Sequence, residues 1–504
     1  MTLRAVAEDD AEPQPQLHSR GRIARNFLAI AITSAINLFV GLFISVYVRR
    51  TLGPVAIGEV GWNAAALAYF ALLANPGSAI IGQRDVAKDP RSTENLASLI
   101  LTLQGLMCGV SYALVIALAA LNLRGSEVSA LLIIQGLSMF FIALDVTWVL
   151  QAHERMVASS IATLVCNVAQ FPLLIAFVHG PGDIYLFAAL NLPFAAANLA
   201  FKFWYLSRQG LMSTRRLRFR LVGTRRLLRE TWPLAASQAA LVIYYNCDTI
   251  ILGFTHGNDV VGQYTSAYKL MLIATVVSGA MCTAYFPALA RVQGSPEQAR
   301  EVSREFVSLM LWLGLPIAAL GWATGRHAVE LLYGAEFHAS GVYFEWLCLN
   351  VALIFANLAL VTPLTTWGMQ RTQFWVSCMG AAINLSFNLV LIPRYGVPAA
   401  IATTIITELA IFIALAIVRH RLTLGWVPLG RTLLPPLLSS AAAAAAIVAM
   451  PASFERYWML ECVAGAALIA GALWVFEPRI ARAGLRFLQR KLAISVRPSG
   501  EPRV

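Results

Sequence analysis

Ser207 to Glu230 reads SRQGLMSTRRLRFRLVGTRRLLRE, and this stretch decides the fold. Eight arginines (Arg208, Arg215, Arg216, Arg218, Arg220, Arg225, Arg226 and Arg229) stand against one acid, Glu230. Long apolar segments flank the block, six before it and eight after it. A basic block between apolar spans is retained on the cytoplasmic side of a bilayer, and anionic lipid attracts it to the surface. Two readings remain open for the block itself, a solvated basic loop or an amphipathic segment lying on the membrane. Nucleic-acid binding is excluded, because no soluble domain surrounds the arginines. In either membrane reading the block divides the chain into two halves.

Composition agrees. Of 504 residues, 58% are hydrophobic and 13% charged, and the mean hydropathy is +0.67. A soluble chain of this length would need far more polar surface. The formal charge of +12 reflects cations gathered at the cytoplasmic ends of spans. The seven cysteines all fall in apolar runs without CxxC spacing, and the seven histidines form no ligand cluster. Free buried thiols are expected, with neither disulfide nor metal site. No Gly-rich phosphate loop ending in Lys-Ser/Thr is present and no catalytic constellation stands out, so an enzyme is not expected.

The pattern predicts an all-α polytopic membrane protein with fourteen transmembrane helices. The first six lie near 26–48, 62–82, 96–121, 129–150, 156–178 and 184–206. Eight more lie near 232–253, 263–289, 306–324, 342–367, 374–392, 398–418, 432–450 and 457–476. The domain reading is a disordered cytoplasmic tail (1–25), an N-terminal six-helix lobe (26–206), the basic linker (207–230) and a C-terminal six-helix lobe (231–418). Two additional helices (419–476) and a basic tail (477–504) complete it. The first apolar run is too long for a signal-peptide core. With the N-terminus inside, thirty Lys and Arg fall on the cytoplasmic side and six on the other. That ratio places both termini in the cytoplasm.

The halves repeat. Leu52-Gly53-Pro54 and Gly58 follow the first span, and Leu252-Gly253-Phe254 and Gly262 follow the seventh. The offset is 200 residues at Leu-Gly and 204 at the second glycine. A parallel repeat of this kind relates two lobes by an axis along the membrane normal.

Several stretches carry a family resemblance. YVRRTLGPVAIGEVG (Tyr47 to Gly61), NPGSAIIGQRDVA (Asn75 to Ala87), Cys247-Asp248, Gly262-Gln263-Tyr264 with Ala267-Tyr268-Lys269, and LIPRYGVPAAIAT (Leu391 to Thr403) resemble bacterial oligosaccharide flippases. These belong to the multidrug and oligosaccharidyl-lipid exporter group. The resemblance runs from about residue 25 to 420. It implies movement of a polyprenyl-diphosphate-linked oligosaccharide from the inner to the outer leaflet of the bacterial cytoplasmic membrane. The product would be O-antigen, capsule or exopolysaccharide, and the partners a polysaccharide polymerase and chain-length machinery. Two other classes compete, a drug or metabolite antiporter of the same superfamily and a non-transporting membrane partner of the polysaccharide machinery.

A diphosphate entering hydrocarbon needs compensating cations, and arginine suits bidentate phosphate contacts. Arg84 is the candidate at the cytoplasmic end, where the resemblance marks an arginine followed by an acid. Arg49 and Arg50 are candidates at the outer end, with Arg394 weaker. Ionisable residues inside spans are costly and therefore suspect. These are Asp145, Lys202, Asp248, Lys269 and Glu408. Asp248 and Lys269 are expected to pair, at similar depths on antiparallel neighbours. Glu408 sits mid-span without a visible partner and is the candidate for proton or sodium coupling. No other cofactor is expected.

Overall fold

Hydrocarbon forces every spanning segment to satisfy its backbone internally, so an apolar chain of this kind forms helices. A computed structural model describes residues 20–426, 429–450, 458–478 and 482. The first nineteen residues and most of the basic C-terminal tail, both assigned above, lie outside them. The helices are α1 (Arg20–Ala74), α2 (Ser78–Lys88), α3 (Thr93–Ala120), α4 (Ser126–Gly136), α5 (Ser138–Ala143), α6 (Thr147–Ala152), α7 (Met156–Phe177) and α8 (Ile184–Arg208). After the linker come α9 (Thr224–Thr255), α10 (Gly257–Arg291), α11 (Pro296–Tyr333), α12 (His338–Thr366), α13 (Gln370–Tyr395) and α14 (Val397–Arg419). Last are α15 (Leu434–Val448) and α16 (Trp458–Phe476).

Among the described residues, eleven segments are long and apolar enough to span a membrane. The fourteen expected spans are accounted for as follows. The segment Ile32–Ala74 holds two of them, because α1 bends at Gly53 (φ 73°, ψ 173°) ahead of Pro54. The seventh span, α9, starts on Arg225, Arg226, Arg229 and Glu230 and carries Asn246 and Asp248 lower down, so its apolar signal is diluted. The thirteenth, α15, has only 15 residues.

Three expectations change. The second span was placed at 62–82, but α1 runs on from Gly53 to Ala74 and stops where Gly77 turns left-handed (φ 87°). Arg49 and Arg50 therefore sit inside a helix beside its bend, not in a loop. The fourth span is broken into α4, α5 and α6. The linker is neither an amphipathic helix nor a free loop. The backbone N–H groups of Ser213, Arg218 and Arg220 donate to Glu94 Oε1, Ser98 Oγ and Thr102 Oγ1 at 3.1–3.2 Å. These three acceptors stand at i, i+4 and i+8 on α3, one stripe of the helix. They pin the linker along it.

The repeat is tighter than the sequence suggests. Gly53 and Gly257 both take the left-handed conformation, whereas Gly253 is helical. One offset of 204 therefore relates Gly53 to Gly257 and Gly58 to Gly262. The lobes meet on these residues. A Cβ on Gly58 would collide with the Asn258 carbonyl, and one on Gly262 with the Pro54 carbonyl. Pro54 and Asn258 are themselves 204 apart, so the contact is reciprocal. Gly61 lies against its own equivalent, Thr265. The pseudo-twofold axis passes through this crossing of α1 and α10.

Candidate functional site

The side chains around that crossing seal one end of the bundle, opposite the linker. Arg49, part-buried in α1, donates from Nε to Ser266 Oγ at 2.9 Å and from a terminal nitrogen to Ser45 Oγ at 2.5 Å. Its guanidinium carbon lies 5.1 Å from the centroid of the Tyr333 ring. Arg50 reaches the C-terminal turn of α11, donating to the carbonyls of Leu332 (2.7 Å) and Leu331. A cation at a helix C-terminus complements the dipole there. Arg124 sits 4.7 Å over the Trp62 ring and donates to Asn258 Oδ1, while Asn258 donates to Glu59 Oε1 at 3.0 Å. The bonds of Arg49 to Ser266, of Arg50 to α11, of Arg124 to Asn258 and of Asn258 to Glu59 join the two lobes. Arg394 is exposed at the end of α13 and is not drawn into the seam.

At the linker end the lobes touch through fewer groups. Arg84, half-exposed on α2, bonds Asp85 Oδ1 at 2.7 Å and Glu230 Oε2 at 3.2 Å. Arg226 holds the other oxygen of Glu230 at 2.9 Å. The guanidinium groups hold both carboxyls below their ordinary pKa. Asp85 is held by Arg84, and Glu230 by Arg226 first and Arg84 second. Arg84 thus bridges α2 and the start of α9, a role the sequence could not assign because its partner is 146 residues away.

Three of the intramembrane charges, Asp145, Lys202 and Glu408, line two pockets, one enclosed by the fourth, fifth and sixth spans of the N-terminal lobe and the other by the same spans of the C-terminal lobe together with α9. In the N-terminal lobe, Lys202 Nζ lies 3.1 Å from both oxygens of Asp145. Asp145 occupies the break between α5 and α6 and also accepts from the Thr147 N–H at 2.9 Å. The cavity beside them has a volume of about 350 Å³ and is lined by Asn167, Gln170, Asn191 and Asn198, with Phe141 and Phe194. In the C-terminal lobe, Glu408 is buried and has the partners the sequence did not reveal. Tyr244 Oη donates to Oε1 at 2.5 Å, and Asn357 Nδ2 to Oε2 at 2.5 Å. Its cavity, about 170 Å³, also admits Gln373 and Ser377.

The expected Asp248–Lys269 pair is not formed. Asp248 accepts from Tyr264 Oη and from the Thr249 N–H (2.6 Å). Lys269 is exposed. It lies five residues past Tyr264, about 140° further round α10 at 3.6 residues per turn. Similar depth on neighbouring helices was a sound premise, but azimuth overrode it.

The amide residues were missed in the sequence although their spacing signals them. Thr163, Asn167 and Gln170 stand at i, i+4 and i+7 on α7. Asn191, Asn198 and Lys202 stand at i, i+7 and i+11 on α8. In a spanning helix a polar stripe, not an apolar one, marks the inward face. Among the described residues no group of three or more His, Cys, Asp or Glu could hold a metal ion.

The family model for "Polysaccharide biosynthesis protein" matches residues 23–293. The chain belongs to that polysaccharide biosynthesis family. The match covers the whole N-terminal lobe, the linker and the α9–α10 hairpin that carries the reciprocal contact. A protein assigned as an O-antigen transporter from Shigella dysenteriae is 25% identical over 399 residues, 77% of this chain and 97% of its own. The capsular polysaccharide biosynthesis protein CapF of Staphylococcus aureus is 20% identical over 336 residues, 66% of this chain and 82% of its own. Among solved structures, the lipid II flippase MurJ in its inward closed conformation superposes with a TM-score of 0.75. It shares 12% identity, with 90% of this chain and 99% of that one covered. An inward-facing multidrug transporter of the MATE family superposes at 0.63, with 16% identity, 79% of this chain and 98% of that one. These two likenesses concern the fold. The family member described here therefore has the two-lobed, multi-pass membrane architecture of those transporters.

Proposed function

We propose that this chain flips a polyprenyl-diphosphate-linked oligosaccharide from the cytoplasmic to the outer leaflet for surface polysaccharide synthesis. The observation that carries the reading is the reciprocal seam between the lobes in a member of the polysaccharide biosynthesis family. Two lobes joined at one end of a shared axis, and only loosely at the other, suit alternating access. The charge ratio orients the linker end to the cytoplasm, with both termini there. The lobes correspond to 26–206 and 231–418, hinged by the linker. The names of the O-antigen and capsule relatives support the cargo class.

In this reading the diphosphate replaces Glu230 on Arg84. Arg84 presents a planar fork at the cytoplasmic end, and its present partner is a half-exposed carboxylate that a doubly anionic headgroup outcompetes. Arg49 and Arg50 hold the outer end shut and are released as the seam opens. Glu408, buried in the C-terminal lobe between helices of one lobe, is the candidate for coupling to protons or sodium. Polymerase and chain-length proteins are the downstream partners.

Binding of purified protein to lipid-linked oligosaccharide tests the proposal. Arg84→Lys should keep normal abundance and lose most binding and export, because lysine is a point charge without the fork. Wild-type affinity in Arg84→Lys would remove the clamp. Failure of the parent protein to bind any polyprenyl-diphosphate sugar, together with export of small cations, would move the function to drug antiport.

A further inference from the structure

The N-terminal pocket has chemistry that a headgroup clamp does not need. Lys202 is buried and spent on both oxygens of Asp145, so the pocket carries a neutralised pair and offers no free charge to a phosphate. What remains is amide. Gln170 Nε2 donates to Asn191 Oδ1 at 2.8 Å, and Asn167 Nδ2 donates to Asn37 Oδ1 at 3.1 Å. Asn198 Nδ2 donates to Thr163 Oγ1 at 3.1 Å, while its own Oδ1 is buried with no hydrogen-bond partner. Each amide–amide bond uses one donor and one acceptor, so these side chains keep both N–H and carbonyl capacity for a further partner. Phe141 and Phe194 complete the wall. The fourth span is interrupted here, with Leu144 and Val146 off helical geometry and Asp145 between them. Broken helices at membrane depth occur where backbone lines a polar cavity, and they mark transporter binding sites.

We infer that this pocket is a sugar-binding subsite, taking a neutral ring of the glycan rather than the diphosphate or an ion. This rests on the proposed transport of a lipid-linked oligosaccharide. Sugar hydroxyls donate to amide carbonyls, and the apolar face of a ring lies on aromatic carbon. A volume of about 350 Å³ is at the small end of ligand sites, which suits one ring better than a whole repeat unit. A hydroxylated ring in hydrocarbon needs such partners, because each unmade hydrogen bond is costly. The subsite therefore selects glycan, while the arginines read the headgroup shared by all such lipids.

The test uses the intact chain in nanodiscs with three probes. These are lipid-linked oligosaccharide extracted from the producing cell, polyprenyl diphosphate without sugar, and the oligosaccharide released from its lipid. Gln170→Leu combined with Asn198→Leu should weaken binding of the sugar-bearing lipid about tenfold, from the loss of one to two hydrogen bonds. Binding of the sugar-free lipid should be unchanged. Cys166 lines the same cavity. With the other six cysteines replaced by alanine, the released oligosaccharide should slow alkylation of Cys166 by N-ethylmaleimide in an otherwise unaltered pocket, which covers the case of a poorly folding double variant. Equal losses for both lipids, or no protection of Cys166 by either sugar-bearing probe, would overturn the subsite. If neither lipid binds the parent chain, the transport reading fails. Protection of Cys166 by the released oligosaccharide would then still uphold the pocket.

Discussion

Asp248 shows how a buried carboxylate is stabilised without a cation. Tyr264 and Thr249 supply its donors, so Tyr264→Phe leaves one oxygen short of a partner. The expected loss is about 1–3 kcal/mol, read as a lower unfolding temperature in detergent. Lys269→Gln should stay within about 0.5 kcal/mol of wild type, and the two changes should add. Strong coupling between them would restore the ion pair that the geometry replaces. At the linker end, Asp85 and Glu230 titrate below their ordinary values because guanidinium groups hold them. A carboxyl depressed in the folded state stabilises above its unfolded pKa, about 3.9 for Asp and 4.3 for Glu. That contribution is lost as pH falls through the folded values. Protection of the amides at the start of α9, relative to their intrinsic exchange, should therefore be high at neutral pH and fall below about pH 4, and Glu230→Gln should show the lower protection already at pH 7. Protection insensitive to both acid and substitution would mean the bridge contributes nothing.

At the scale of elements, the sequence disclosed the spans well, because about 20 apolar residues are needed to cross a bilayer and little else in a chain has that length. The turn at Gly53-Pro54 was visible after the first span as a helix-disfavouring pair. The continuity of α1 through the bend was not, since Gly-Pro reads equally as a loop. Glu408's partners, Tyr244 and Asn357, lie 164 and 51 residues away. Only the packing of α9, α12 and α14 brings them together. The offset of the repeat was misread at one of its two positions because Leu-Gly recurs at 252–253 by coincidence, while the left-handed turn falls at Gly257. The close approach of α1 to α10 yields a further expectation. Gly58→Val or Gly262→Val places a side chain against the partner's backbone carbonyl, a neighbour that cannot rotate away. Spin labels at Ser126 and Ala335, both exposed at the sealed end, should move apart in either variant while the protein stays in the membrane. An unchanged distance would show that the seam tolerates the added bulk.

For the whole molecule, orientation is the property on which direction of transport depends. Cysteines at Ser126 and Ala335 should react with an impermeant maleimide from outside the cell, and cysteines at Arg91 and Thr214 should react after the membrane is opened. The reverse pattern would invert the topology and with it the direction of flipping. Glu408→Gln tests the driving force on the same scale. Export driven by an imposed gradient should fall to background while substrate still binds. Full export under every gradient would separate Glu408 from coupling, and a fall in abundance alone would make its bonds to Tyr244 and Asn357 structural.

The reciprocity at the axis has a consequence of its own. Gly58 meets the equivalent of Pro54, Gly262 meets Pro54 itself, and Gly61 faces its own counterpart. This is the isologous geometry of a twofold homodimer, in which one surface patch is complementary to itself. A single lobe therefore carries both halves of its own interface. Two half-length chains could close on one another without the arginine-rich tether. In the joined chain the two copies have since diverged in complementary ways. The Arg49–Ser266 hydrogen bond occupies one flank of the axis, and at the equivalent positions on the other flank Trp62 fills the space against Gly253. The tether fixes stoichiometry and lets one partner become the polar flank and the other the packed one, a division of labour that identical subunits cannot make.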